Sequence, residues 1–190
     1  MIDLSTLPGE LTLYERRVLY DTVLKYQPKL ILEVGTGFGG ATATMAEALK
    51  VIGSGQIYTC DPKRKPKKGF FKQYDNIVEY FELPSVRFIK FMREMQFIPD
   101  MIFFDGPEDA RIAILDFAEL EDHLKPGTVF CMHDWETSRR KYDNGVSVKS
   151  VLMKKYLHDS ESLWDIQFEL DALTYKEGEE SVGLVCAIKR

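Results

Sequence analysis

The stretch that decides the fold is ILEVGTGFGGATATMAEAL, from Ile31 to Leu49. Lys29 to Val34 makes a short apolar strand, closed by glycines. From Ala41 to Leu49 the residues are good helix formers. Between them stand Gly35, Gly37, Gly39 and Gly40, which remove side chains where a ligand would approach the backbone. Strand, glycine turn and helix are the opening unit of an open α/β sheet.

Outward from this unit the same alternation recurs. Pro8-Gly9 turns the chain, and Glu10 to Tyr26 carries Leu11, Tyr14, Val18, Leu19, Thr22 and Val23 near helical spacing, so residues 1–28 read as a leading helical segment. On the other side, GQIYTCDP is a second strand ending at Asp61, and Phe71 to Phe81 is a helix candidate. SVRFIKF, Ser85 to Phe91, reads as a third strand. DMIFFDG, Asp100 to Gly106, is a fourth, almost wholly apolar inside, as a strand covered on both faces requires. Arg111 to His123 has Ile112, Leu115, Phe117, Ala118 and Leu120 on a helix, and TVFCMHD is a fifth strand. This rhythm predicts a parallel, doubly wound sheet with right-handed crossovers. It then breaks. After a helix candidate from Val146 to Leu157, LWDIQFEL and VGLVCAIKR are strands joined by a polar stretch, Thr174 to Ser181, which makes an antiparallel hairpin the simplest arrangement.

The 190 residues fit one domain, 1–190, and 45% apolar content can fill its core. A formal charge of -5 offers polyanions no general attraction, so neither nucleic acid in general nor a membrane surface is an expected partner. The opening MIDLSTLPGE has no basic flank ahead of an apolar segment, and no apolar run approaches the roughly 20 residues that cross a bilayer. A cytoplasmic protein is expected. Cys60, Cys131 and Cys186 are odd in number and lie in strand-like stretches, which fits reduced core thiols better than bridges or a zinc site.

The glycine turn fits two patterns. Gly35, Gly37 and Gly40 satisfy G-x-G-x-x-G, the dinucleotide turn, while Glu33, Gly35, Gly37 and Gly39 satisfy E-x-G-x-G-x-G, the turn of S-adenosylmethionine sites. A dinucleotide sets a pyrophosphate on the helix end, whereas S-adenosylmethionine has no phosphate and presents an ammonium, a carboxylate and a sulfonium. Glu33 is an awkward neighbour for a pyrophosphate and a natural one for an ammonium, directly or through water. Asp61, about twenty positions past the glycines, serves either ligand by accepting from ribose hydroxyls.

Here the chain resembles a family, the class I S-adenosylmethionine-dependent methyltransferases, and within it the small O-methyltransferase-like branch of catechol O-methyltransferase, macrocin O-methyltransferase and cephalosporin hydroxylase type. The resemblance is carried by LEVGTGFGG, YTCDP, DMIFFDGPED, LKPGTVFCMHDW and the terminal hairpin, and covers most of the chain from about Leu30. LPGELTLYERRVLYDTV is similar to the leading helix that such enzymes fold over the cofactor. What this implies is a Rossmann-like, doubly wound, seven-stranded and mostly parallel sheet of order 3-2-1-4-5-7-6, with strand 7 antiparallel. By the same resemblance Glu33, Gly35, Thr36, Gly37 and Gly39 border the methionine part of the cofactor and Asp61 the ribose. Residues after the third strand meet the adenine in relatives. There this chain has Phe91, Met92, Arg93 and Glu94, which depart from the usual glycine and small or acidic residue, so the adenine contacts stay unassigned.

Ligands of open parallel sheets sit outside the carboxyl ends of the strands. The fourth strand ends at Asp105 and the fifth at His133 and Asp134. In metal-dependent relatives the matching positions hold a divalent ion that takes both hydroxyls of a catechol, lowers the acceptor's pKa and orients it. The resemblance thus implies a metal set of Asp105, His133 and Asp134, which Mn, Fe or Zn would suit as well as Mg. The plainer alternatives place Asp105 against the cofactor amine and make His133-Asp134 a hydrogen-bonded pair at a strand end. His133 is also a candidate general base, since imidazole titrates near neutral pH. Glu108 is another, standing where catechol-type relatives have a Lys and others in the broader group a His.

No [DN]-P-P-[YF] stretch of amino-methylating enzymes follows the fourth strand, which favours an oxygen acceptor. The expected function is methyl transfer from S-adenosylmethionine to an oxygen of a small molecule, with or without a divalent metal. One alternative is a nicotinamide-dependent oxidoreductase, disfavoured by Glu33, the leading helix and the terminal hairpin. The other is a cofactor-binding domain without turnover, motivated by the altered third-strand end and the missing Lys or His base. Lys63, Arg64, Lys65, Lys67 and Lys68 make a basic loop, more simply solvated than a seat for a phosphate-bearing substrate. Trp135 is either a substrate-pocket wall or a packed aromatic, and Arg139, Arg140 and Lys141 stand where a lid would. Relatives are often dimers, which leaves a homodimer open.

Overall fold

The computed structural model describes residues 3–9, 11–63, 66–107, 109–135, 149–170 and 183–190. Its strands are β1 (Leu30–Val34), β2 (Gln56–Cys60), β3 (Val78–Phe81), β4 (Met101–Phe104), β5 (Val129–His133), β6 (Trp164–Leu170) and β7 (Leu184–Lys189). They form one sheet of order β3-β2-β1-β4-β5-β7-β6. The first five pair in parallel with one another, and β7 runs antiparallel to both β5 and β6. The implied order and its closing antiparallel pair are therefore present, while the joining stretch from Thr174 to Ser181 lies outside the described residues.

Both faces of the sheet are covered, because the central strands are apolar on alternate residues of either side. Leu32, Val34, Ile102 and Phe104 pack with α3 (Ser85–Glu94), α4 (Ala110–Glu121) and α5 (Lys149–Leu157). Ile31, Met101 and Phe103 pack with α1 (Leu13–Tyr26) and α2 (Gly40–Ile52). Cys60, Cys131 and Cys186 are buried free thiols, and Cys131 and Cys186 stand directly opposite each other on β5 and β7. Among the described residues no helix is long and apolar enough to cross a membrane.

The third strand is not where the sequence reading puts it. SVRFIKF belongs to α3, with Ser85, Phe88, Ile89 and Met92 buried at the i, i+3, i+4, i+7 spacing of one helix face. The apolar Val86, which gives the appearance of strand alternation with Phe88, is 61% exposed. The helix expected over Phe71 to Phe81 is instead a 3-10 turn, Phe70–Tyr74, followed by β3. The segment that follows the third strand is consequently the one just after Phe81, and Phe91–Glu94 close a helix instead.

The leading segment has a shorter helix than its apolar spacing predicts. A 3-10 turn, Leu4–Thr6, is followed by an extended stretch, and α1 starts at Leu13 under a capping box. Thr12 accepts from the Glu15 amide and the Glu15 carboxylate accepts from the Thr12 amide. The buried Arg16 pins the extended stretch. Its Nη1 donates to the carbonyls of Leu4 and Leu7 at 2.8 and 2.6 Å, and its Nη2 to those of Pro8 and Gly9 at 3.2 and 3.1 Å.

Candidate active site

The glycine turn is built by close approach. Gly35 has φ 97°, and a Cβ there would lie 2.1 Å from the Asp105 carbonyl oxygen, so the exits of β1 and β4 touch only because no side chain stands between them. A Cβ on Gly40 would lie 1.8 Å from the Pro8 carbonyl oxygen, which seats the leading segment over the start of α2. Gly37, at φ 52°, has nothing within 4 Å of its Cβ position. Its amide donates to Asp61 Oδ2 at 3.1 Å, and the Lys63 amide donates to Asp61 Oδ1 at 3.0 Å. Asp61 is thereby fixed with lone pairs to spare for hydroxyl groups.

A cavity of about 240 Å³ opens over this turn, lined by Gly35, Thr36, Gly37, Asp61, Asp105 and Asp134 with Gly9 and Leu11 of the leading segment above. It adjoins a second of about 500 Å³ that shares Gly35, Asp61 and Asp105 and adds Pro84, Ser85 and Ile112. Pro84 and Ser85 follow β3, so the segment after the corrected third strand does face the ligand space. Glu33 lines neither cavity. It is fully buried behind the turn, where Thr42 Oγ1 donates to its Oε2, and burial raises its carboxyl to about 8. Thr36 Oγ1 and Thr59 Oγ1 share a 2.6 Å hydrogen bond below the same turn.

The acidic strand ends meet at one point, around a residue absent from the sequence reading. Lys149, the first residue of α5, is 1% exposed, and its Nζ lies 2.6 Å from Asp134 Oδ2 and 3.4 Å from Asp105 Oδ1. His133 is 2% exposed, with Nδ1 3.4 Å from both Asp105 Oδ1 and Asp134 Oδ1 and Nε2 3.6 Å from Glu15 Oε2. Burial lowers the His133 pKa, but Asp105, Glu15 and Asp134 outweigh it and hold the imidazole up at about 10. Burial would raise Asp105, and the charges on His133 and Lys149 instead hold it below the ordinary carboxylate range. Asp134 takes φ 58°, a left-handed conformation that aims its side chain back at this cluster.

Lys149 had a signal in the sequence. It shares a helix face with Met153 and Leu157 at i, i+4 and i+8, all buried, and a lysine on such a stripe needs a buried partner. Of the other predicted positions, Glu108 and Arg139 to Lys141 lie outside the described residues, as do Arg64 and Lys65. Trp135 is a packed aromatic, 1% exposed, whose Nε1 donates to Glu169 at 2.8 Å.

Asp105, His133 and Asp134 each offer a ligand atom within 4.8 Å of the others, the convergence of a metal site. Lys149 spoils the fit. Its ammonium already holds the same carboxylate oxygens, and like unit charges about 4 Å apart repel by about 4 kcal/mol at an effective dielectric of about 20, a cost that a divalent ion doubles. The third donor is engaged as well, since His133 Nδ1 faces Asp105 Oδ1 and Asp134 Oδ1 at 3.4 Å each. The residues present do not fit a divalent ion.

Residues 32–135, more than half of the chain, match the family described as a methyltransferase domain, and the chain belongs to it. Its fold is that of class I S-adenosylmethionine-dependent methyltransferases. Among solved structures it is similar to an O-methyltransferase from Bacillus cereus in complex with SAH, at 17% identity and a TM-score of 0.71, with 98% of this chain and 86% of that one covered. It is also similar to the O-methyltransferase TomG of Streptomyces achromogenes, involved in tomaymycin synthesis and bound to SAM, at 17% identity and a TM-score of 0.72, covering 94% of this chain and 81% of that one. A methyltransferase from Podospora anserina, SAH-bound, follows at 15% identity and a TM-score of 0.67, covering 94% and 79%. No curated protein matches the sequence.

Proposed function

We propose that this chain binds S-adenosylmethionine in the two adjoining cavities and transfers its methyl group to an oxygen of a small molecule. One observation carries the reading: the glycine turn, Asp61 and the post-β3 segment line one continuous ligand space at the carboxyl edge of a methyltransferase sheet. When bound, the cofactor supplies a methyl group on a sulfonium, ready for in-line transfer. Gly37 leaves open space for the methionine end, Asp61 accepts from the ribose hydroxyls, and Pro84, Ser85 and Ile112 wall the larger cavity for the base. Asp105 and Asp134 line the smaller cavity and favour a cationic neighbour there. His133, buried behind them and held as an imidazolium, positions both carboxylates through Nδ1 and is not the base that takes the acceptor's proton.

The same geometry disfavours a dinucleotide. Its pyrophosphate would need the amides at the start of α2, and the Pro8 carbonyl lies over Gly40 there. The O-methyltransferase names of two similar structures and the absence of a [DN]-P-P-[YF] stretch after β4 support an oxygen acceptor. Calorimetry with S-adenosylhomocysteine and with NAD tests the cofactor: micromolar binding of the first and none of the second is expected, and the reverse overturns the reading. Radiolabelled methyl transfer across phenols, alcohols, carboxylic acids and amines tests the acceptor, and methylated amines alone would overturn the oxygen assignment.

A further inference from the structure

Three of the four oxygens of Asp105 and Asp134 are faced by a nitrogen of this chain. Lys149 Nζ stands at 2.6 Å from Asp134 Oδ2 and 3.4 Å from Asp105 Oδ1, and His133 Nδ1 at 3.4 Å from Asp105 Oδ1 and Asp134 Oδ1. Lys149 cannot easily leave. It is 1% exposed at the start of a helix whose Met153 and Leu157 are set in the core, and bringing the ammonium out would break both of its carboxylate contacts. Both carboxylates already face the Lys149 ammonium before any ion arrives. The donor set has the convergence of a metal site, and a residue of the protein occupies its centre of charge.

We propose that Lys149 is the resident cation of this site: its ammonium takes the position a divalent ion would need between Asp105 and Asp134, shuts such ions out, and lets the protein work without one. The side chain acts as a positioning residue, fixing the two carboxylates that face the cavity. The working part of the statement rests on the methyl-transfer reading above. The exclusion of metal does not.

The test is Mn²⁺ uptake, followed by loss of the free-ion paramagnetic resonance signal, with S-adenosylhomocysteine binding recorded by calorimetry on the same samples. The wild-type chain is expected to leave the Mn²⁺ signal unchanged at millimolar ion and to melt at the same temperature with Mn²⁺ or EDTA. Lys149→Met, which keeps the side-chain volume and removes the charge, is expected to bind Mn²⁺ at least about a hundredfold more tightly than the wild type. Adding Asp105→Asn to it is expected to abolish the gain, tying the ion to this pair. Stoichiometric Mn²⁺ uptake by the wild type overturns the proposal, and so does a cooperatively melting Lys149→Met that ignores Mn²⁺ as the wild type does. If Lys149→Met does not melt cooperatively, Lys149→Gln is judged by the same criteria, and the wild-type titration stands in either case. A wild type that fails to bind S-adenosylhomocysteine overturns the proposed function and leaves the Mn²⁺ result intact, so the two failures are told apart.

Discussion

Glu33 sits one turn of backbone behind the ligand space, and its protonation decides what it contributes. Burial raises its carboxyl from an ordinary 4.5 to about 8, so near neutral pH it is mostly neutral and accepts from Thr42 as an uncharged neighbour. A raised carboxyl stays protonated in the folded chain while the unfolded chain ionises, so its effect is a loss of stability that grows as pH rises from about 4.5 to about 8. Glu33→Gln keeps the shape and removes this linkage. It is expected to match the wild type at pH 4.5 and to exceed it by at least about 1 kcal/mol at pH 8, which denaturant melts at the two pH values would check. The motif position was legible because a carboxylate two residues before a glycine turn is a strong pattern. Its orientation was not, since whether a strand residue faces ligand or sheet depends on how α2 packs, and Thr42 lies on α2.

At the scale of elements, six of the seven strands were legible, the edge strand β6 among them, and only β3 at the other edge was not. β1, β4 and β5 are short, largely apolar runs of four or five residues bounded by turns, too short for a buried helix. β3 is four residues at the sheet edge with intermediate burial, while α3 next to it holds Phe88 on a position that both periods share. Burial around the helix, not alternation, resolves that ambiguity. Arg16 is a second case: one exposed-looking arginine in a helix pattern turns out to hold four carbonyls of the leading segment. Arg16→Met should cost roughly 3 kcal/mol, because charge-assisted bonds contribute about 1.5 to 3 kcal/mol each and water replaces part of the loss. It should also weaken S-adenosylhomocysteine binding about tenfold or more, since Gly9 and Leu11 roof the smaller cavity. Unchanged affinity in a folded variant would show that the roof does not depend on this arginine.

The whole molecule carries a pH profile set by its buried cluster. His133 is raised from an ordinary 6.5 to about 10, so its contribution is fully present below pH 6.5 and is lost as pH rises through about 10. Asp105 is held low, so its contribution is present above its ordinary 3.8 and is lost as pH falls below that value. Glu33 tilts the interval between them downward toward high pH. The melting temperature is therefore expected to peak near pH 4 to 4.5 and to fall steadily to pH 10, and His133→Gln should lower the peak and flatten the alkaline limb. An alkaline limb as steep in the variant as in the wild type would remove His133 from this account. The parallel sheet and its closing hairpin were legible from alternating elements and a helix-free ending, and the strand order from the family resemblance. Of the cluster, Asp105, His133 and Asp134 were legible as strand ends, whereas Glu15 and Lys149 were not, because α1 and α5 bring them in from far along the chain.

One bond of that cluster bears on the order in which the molecule assembles. Glu15 caps α1 through Thr12 and also accepts from the Gly183 amide at 3.1 Å, across 168 residues of sequence. Neighbouring units such as β1, α2 and β2 can form from short-range encounters, whereas this closure waits for β7 to be laid against β5. The tie between the leading helix and the last strand is thus among the last contacts to form. A nascent chain still short of its last strand therefore has the Thr12–Glu15 cap without the bond that joins Glu15 to Gly183.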